Sequence, residues 1–226
     1  MESLKELKEK YGGSEPTWRI KLVRKVSIRL TWLLLHTPIT GNQVTFFMFV
    51  FGLFSAICFM FGNYYLNLLG ILYFHISIIL DGSDGQVARY RKEVSSKGVY
   101  YDLMHHIIVN PLIILGIGIG AYFNNSLPIP NKIFLYFGII GAYFLIMNSV
   151  IVLKKYESSI KTSNFKEIRK VYKNLCNDRK SNEIRDFFQI KIFNAIFFFG
   201  ILNLLPFLVL IYGIAIPLMT IRSLKY

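Results

Sequence analysis

Acidic residues are scarce in this chain: 13 Asp and Glu stand against 26 Lys and Arg in 226 residues, and charged residues together make up only 17%. With 54% hydrophobic residues beside so little charge, intrinsic disorder is excluded, since that state needs the opposite balance. Cysteine is nearly absent. Cys58 lies in an apolar run and Cys176 in a charged stretch, so no disulfide between them is expected. The first twenty residues are charged and contain no apolar core, so no cleavable signal peptide is read there. Repeats of solenoid length and low-complexity tracts are also lacking. Present instead are long charge-free apolar runs, too many for a soluble body of this size to bury. The composition predicts a compact polytopic membrane protein. A net charge of +13 would suit a nucleic-acid binder in a soluble chain. In a membrane protein it reads as attraction to an anionic leaflet and to phosphate-bearing substrates, with no nucleic-acid partner.

Spanning helices need roughly 17 to 25 mostly apolar residues. Val44–Phe61, Tyr64–Leu80, Leu103–Phe123 and Ile133–Leu153 meet that test, and a fifth run covers Ile192–Ile221. The fifth is either one over-long tilted helix or two short helices turning near Asn203–Pro206, the first drawing in Phe187–Ile190. Basic residues choose between these. Eight lie in 1–36, four in 81–97 and eleven in 154–191, while Lys132 stands alone and Arg222 and Lys225 close the chain. Six spans put 25 of the 26 basic residues on the cytoplasmic side. Five would strand the C-terminal pair outside. The expected fold is therefore all-α, with six transmembrane helices and both termini cytoplasmic in the cell membrane.

Residues 17–36 predict an interfacial helix. Arg19, Lys21, Arg24, Lys25 and Arg29 interleave with Trp18, Ile20, Leu22, Val23, Val26, Ile28 and Leu30, so the cations can reach headgroups while the apolar face enters the acyl boundary. A solvated basic linker is the plainer alternative. The chain thus divides into an N-terminal cytoplasmic segment, 1–36, and a membrane domain, 37–226, with a cytoplasmic loop at about 155–187.

Within the membrane domain, few acids lie outside the tails and that loop. Three of them share one segment, Asp81-Gly-Ser-Asp84-Gly85-Gln-Val-Ala88-Arg89, then eight residues, then Gly98-Val-Tyr-Tyr-Asp102-Leu-Met-His105-His106. Asp81 and Asp84 are one turn apart, as are Gly98 and Asp102, and Asp102 and His106, so each set can share a helix face. Two neighbouring helices would bring three carboxylates and an imidazole together at the cytoplasmic boundary. Unneutralised, the carboxylates would repel one another. A divalent cation resolves the conflict, and hard oxygen donors suit magnesium or manganese, which also bind phosphate oxygens. Small residues at 85, 88 and 98 would let a ligand or helix approach the backbone. Ordinary helix-end charges paired with Arg89, Arg91 or Lys92 are the plainer reading; three Asp at this spacing weigh against it.

This segment resembles the signature of the CDP-alcohol phosphotransferases, D-x2-D-G-x2-A-R-x8-G-x3-D-x3-D. Asp81, Asp84, Gly85, Ala88, Arg89, Gly98 and Asp102 match with spacing kept, and Gly41-Asn42-Gln43-Val44-Thr45 is similar to the family's P-N-x-V-T stretch. The resemblance implies a membrane enzyme that moves a phosphate-linked group from a CDP-alcohol to an acceptor hydroxyl, releasing CMP. It implies that Asp81, Asp84 and Asp102 hold two metal ions, that Gly85, Ala88, Arg89 and Gly98 lie at the cytidine nucleotide with Asn42 nearby, and that the protein is a homodimer. The last Asp of the signature, a metal ligand and general base in the family, is His106 here. Imidazole can itself accept a proton near neutral pH, giving His106 and Asp102 catalytic roles. Alternatively, activity is lost and a nucleotide- or metal-binding relic remains, or His105 or another group acts as base. Losing a carboxylate weakens the second metal site, and a nitrogen ligand tilts the preference toward manganese or zinc.

Lys154, Lys191 and Arg222 flank spans at the same expected level and could meet a phosphorylated acceptor such as glycerol phosphate or inositol phosphate. Ordinary positive-inside charge explains each of them as well. His75 reads as a hydrogen-bonded packing residue. Gly116, Gly118 and Gly120 predict either close intramolecular packing or a dimer seam. An ion transporter could also use intramembrane acids, but it would place them near the midplane between inverted repeats.

Overall fold

The structure, a computed structural model, describes residues 3–11, 18–93, 96–124, 127–159 and 193–224. These residues form eight helices and no strand, as the all-α expectation required. They are α1 (Leu4–Tyr11), α2 (Trp18–Leu35), α3 (Gly41–Met60), α4 (Tyr64–Tyr90), α5 (Ser96–Asn124), α6 (Asn131–Ser159), α7 (Phe193–Ile201) and α8 (Leu205–Leu224).

The sequence marks the starts of these helices locally. Ser3 and Glu6 form a reciprocal capping box at α1, the Ser3 N–H donating to Glu6 Oε2 at 2.6 Å and the Glu6 N–H to Ser3 Oγ at 3.3 Å. Those bonds also hold the Glu6 carboxyl below the ordinary carboxylate range. Thr40 and Gln43 repeat the device at α3, at 2.9 and 3.4 Å. Asn63 Oδ1 caps α4 by accepting from the Tyr65 N–H at 2.9 Å. At its other end α4 stops with Lys92 at φ 60°, the Glu93 N–H reaching the Ala88 carbonyl and the Lys92 N–H reaching the Arg89 carbonyl. This is a Schellman closure with lysine where glycine is usual.

Among the described residues, four helices are long and apolar enough to cross a membrane: Gly41–Met60, Tyr64–Tyr90, Tyr100–Asn124 and Asn131–Ile151. Leu205–Ile221 is a shorter apolar helix. The chain is therefore multi-pass. The last apolar run breaks into α7 and α8 around Asn203, whose φ of 56° makes the turn, so of the two readings the pair of helices is the one found. The predicted loop lies largely outside the described residues, as do Phe187–Ile190 and Lys191. Helices α4 and α5 run past the apolar stretches that predicted them, so the whole Asp81–Arg89 segment is helical and α5 begins six residues before Asp102.

The chain divides into two compact units, Met1–Ser55 with Leu69–Val109, and Ala56–Leu68 with Asn110–Tyr226. In the first, Val44, Met48 and Leu80 form a buried cluster, with Leu30, Leu34, Ile39, Phe51 and Ile76 packed against it. Hydroxyls tie α3 to α4 where water is lacking: Ser77 Oγ donates to the Met48 carbonyl at 2.9 Å and Ser55 Oγ to the Gly70 carbonyl at 2.8 Å. Helix α2 is fastened to α4 by Thr31 Oγ1 to Gln86 Oε1 at 2.9 Å, Gln86 Nε2 to Ser27 Oγ at 3.3 Å and Ser83 Oγ to the Ser27 carbonyl at 3.2 Å. Beyond the last turn of α4, the Arg91 guanidinium closes the C-terminus of α2, donating to the carbonyls of Thr37 at 2.5 Å, Pro38 at 3.3 Å and Leu34 at 3.5 Å.

The second unit is built on glycine contacts. A Cβ at Gly116 would lie 2.6 Å from the Ala56 carbonyl oxygen, one at Gly120 would lie 2.1 Å from that of Phe59, and Gly118 faces Gly138 backbone to backbone. The glycine trio thus serves packing within the chain. Helix α6 packs along α8, where Gly213 admits Phe137. Asn67, buried with Oδ1 lacking a hydrogen-bond partner, lines a cavity of about 90 Å³ with Asn124, Asn203 and apolar neighbours. Tyr143, Ile146, Ile214 and Leu218 are exposed, as a hydrocarbon surround permits.

Overpacking at these glycines should be costly. Gly120→Ala is expected to destabilise the protein by about 1–3 kcal/mol, seen as a lowered unfolding temperature in detergent. Leu218→Ala, at a side chain 63% exposed, should leave that temperature almost unchanged.

Candidate functional site

At 100° per residue, Asp81, Asp84, Gly85 and Ala88 fall on one side of the last turns of α4, while Gly82, Ser83 and Gln86 fall on another. The first face meets α3 and α5. Gly41, the first residue of α3, abuts Ala88 so closely that a Cβ on Gly41 would lie 2.8 Å from Ala88 Cβ. The helix start at Thr40–Gln43 is therefore pinned beside the signature. Asn42 follows in the first turn of α3 with its side chain exposed.

Asp81, Asp102 and His106 converge. His106 Nε2 lies 3.9 Å from Asp81 Oδ1 and 3.5 Å from Asp102 Oδ1, with all three side chains about 30% exposed. One donor atom from each falls within 4.8 Å of the others. Asp102 Oδ1 is buried and has no hydrogen-bond partner. Two carboxylate oxygens and a ring nitrogen at such separations fit a divalent cation, and a buried acceptor without a donor is what such an ion satisfies. The same geometry also fits an imidazolium shared by two carboxylates.

Asp84 stands apart from that trio. It is buried; Thr45 Oγ1 donates to its Oδ2 at 2.7 Å, and the Gly85 N–H is held by its Oδ1. Thr45, fixed in turn to the Gly41 carbonyl at 3.2 Å, is a site residue that the sequence reading quoted within a motif but gave no role. Its place one turn after Gly41 was the available signal.

The remaining expected residues are placed as follows. Gly85 lies beneath the Arg89 guanidinium, whose Nη1 would be 3.1 Å from an added Cβ, and Arg89 itself is exposed. Gly98 is half-buried in the first turn of α5, one turn before Asp102. Lys154 and Arg222 fall in α6 and α8 with side chains outside the described residues, and Lys191 is outside them altogether. His105 is buried against α3, its ring edge-to-face with Phe49 and its Cε1 close to Gly52. His75 bonds the Ile71 carbonyl through Nδ1 at 2.7 Å, a packing role as expected.

Three curated proteins resemble part of this chain, each named "Bifunctional IPC transferase and DIPP synthase". That of Archaeoglobus fulgidus is 39% identical over 82 residues, covering 36% of this chain and 16% of the relative. That of Thermococcus kodakarensis is 41% identical over 81 residues, and that of Aquifex aeolicus 37% over 81, each covering 36% of this chain and 18% of the relative. The chain thus spans less than a fifth of the length of these relatives. A family model described as CDP-alcohol phosphatidyltransferase matches residues 38–221, taking in Gly41, the carboxylates, His106 and nearly all of α8, and the chain belongs to that family.

Proposed function

We propose that the protein transfers a phospho-alcohol group from a CDP-alcohol to an acceptor hydroxyl and releases CMP, in the synthesis of a phospholipid or other polar lipid. The convergence of Asp81, Asp102 and His106 beside the Asp84–Thr45 pair carries this reading. The relatives' printed names, a transferase and a synthase, agree with group transfer. The placement proposed is the cell membrane with both termini cytoplasmic, resting on six spans and the location of 25 of 26 basic residues.

In the reaction, the acceptor oxygen forms a bond to the phosphorus of the alcohol-bearing phosphate. The bond from that phosphorus to the bridging oxygen breaks, and CMP leaves with the electron pair. Asp81, Asp84 and Asp102 are the residues to hold divalent metal, magnesium or manganese. Bound there, such metal supplies positive charge to the donor diphosphate and to the departing CMP. Thr45 keeps the Asp84 carboxylate in one rotamer. Gly85, Ala88 and Gly98 line the side proposed for the nucleotide, Ala88 against Gly41 and Gly85 beneath the Arg89 guanidinium, with Asn42 and Arg89 exposed beside them. His106, its Nε2 3.9 Å from Asp81 Oδ1 and 3.5 Å from Asp102 Oδ1, accepts the proton of the attacking hydroxyl.

The same distances favour a second reading of His106, as a ligand that donates Nε2 alongside the two aspartates. Variants separate the two. As a base, His106→Gln should lower kcat by about 10²–10⁴-fold with the metal requirement unchanged. As a ligand, the same variant should raise the metal concentration for half-maximal rate. CMP release by His106→Asp but not by the native chain, across a broad panel of donors and acceptors, would mark the protein as a relic without turnover.

The carboxylate chemistry itself has a direct test. Purified protein should release CMP from a CDP-alcohol only with a divalent metal and a suitable acceptor; chelation should stop the reaction and added manganese restore it. Asp84→Asn should abolish release. Robust turnover with Asp81, Asp84 and Asp102 all neutralised would refute the assignment.

A further inference from the structure

The face of α4 opposite the carboxylates carries the signature's unspecified positions, and their side chains are not free to vary at will. Ser83 and Gln86 are 0% and 5% exposed, and their partners on α2, Ser27 and Thr31, are 1% and 0% exposed. Gln86 accepts from Thr31 through Oε1 and donates to Ser27 through Nε2, so both ends of its carboxamide engage α2. At Gly82 the two helices come so close that a Cβ would lie 2.9 Å from Ser27 Oγ.

The outward side of α2 mixes apolar and basic residues. Leu22, Val26 and Leu33 are 54%, 37% and 57% exposed, with Lys25 and Arg29 exposed among them. Although Ile28 and Leu34 also pack inward, the inward side is where the hydroxyls lie. Apolar contact is non-directional and would allow α4 to turn under α2. The hydrogen bonds to Gln86 and Ser83 do not, because each needs its own distance and angle. A carboxylate stands about 6 Å from its helix axis, so a 20° rotation would carry it about 2 Å. Metal ligation tolerates about 0.2 Å.

We propose that Ser27 and Thr31 of α2 are positioning residues of the carboxylate centre, acting through the Gln86 carboxamide to fix the rotation of the last turns of α4 and hence the aim of Asp81 and Asp84. They touch neither substrate nor metal. The inference rests on the metal reading of the carboxylates, and its test needs no turnover.

The full chain, purified in detergent, is titrated with Mn²⁺ while free ion is followed by electron paramagnetic resonance, and thermal unfolding is recorded in parallel. Thr31→Val keeps the shape of the side chain and removes its donor; it should weaken Mn²⁺ binding roughly tenfold. Thr31→Ser, which restores the hydroxyl, should return the affinity close to that of the native chain. Ser27→Ala should weaken binding in the same direction. If Thr31→Val fails to fold, Ser27→Ala and Thr31→Ser carry the comparison. Native Mn²⁺ affinity in Thr31→Val or in Ser27→Ala, with only a lowered unfolding temperature, would overturn the positioning role and leave the metal reading standing. A native chain that binds no Mn²⁺ would overturn both.

Discussion

The approach of Asp81, Asp102 and His106 to within 4.8 Å of one another is the constraint on which the first unit depends. Like charges at that separation push α4 and α5 apart, so the backbone beneath them must be held by something other than the charges. Several contacts from α2 and α3, with Arg91 beyond α4, do this. Thr45 on α3 takes one oxygen of Asp84, and Gly41 lets α3 begin against Ala88. Helix α2 grips Ser83 and Gln86 from behind, and Arg91 closes the end of α2 with three carbonyl contacts. The carboxylates are thus fixed from positions that do not themselves ligate.

The second unit solves a different problem with different residues. Hydrocarbon offers no hydrophobic drive for helix association, so close backbone approach and directional bonds must supply it. Gly116, Gly118 and Gly120 do so on α5, every second residue, each facing a different backbone partner. At Gly62, with φ 63°, the turn between α3 and α4 presses against the Gly120 backbone, a place where any side chain would collide. Asn124 Nδ2 reaches the Phe61 carbonyl at 2.6 Å and helps close the same turn. Polar groups are therefore spent at the ends of these helices and glycines within them.

Much of this was legible in the sequence because it is periodic or local. Apolar runs gave the four long spans, and the turn at Asn203 lay where the fifth run was expected to divide. The Asp81–His106 spacing placed three of its four chemical groups together. Asp84 departs from that picture because its neighbour across space is Thr45, 39 residues earlier, and a one-turn spacing says which face a residue shares but not which of two neighbouring helices will claim it. The hydroxyls of α2 were hidden for a related reason. The interleaving of Arg and Lys with Leu, Ile and Val predicts an apolar face in the acyl boundary and cations at headgroups, and it gives Ser27 and Thr31 no partner. Only contact with Gln86, 55 residues away from Thr31, reveals the inward side.

The histidine at 106 changes the charge that the site must balance. A carboxylate there would add a further negative group beside Asp81 and Asp102, and two unit charges 4.8 Å apart repel by about 3–4 kcal/mol at an effective dielectric near 20. A second divalent ion is the natural compensation in a site so charged. With histidine at 106, Asp81 and Asp102 are the two carboxylates of the trio, and the third group brings a ring nitrogen instead of a further acid. Asp84, already engaged by the Thr45 hydroxyl and the Gly85 N–H, has less unsatisfied capacity to offer a second ion than an unbonded carboxylate would.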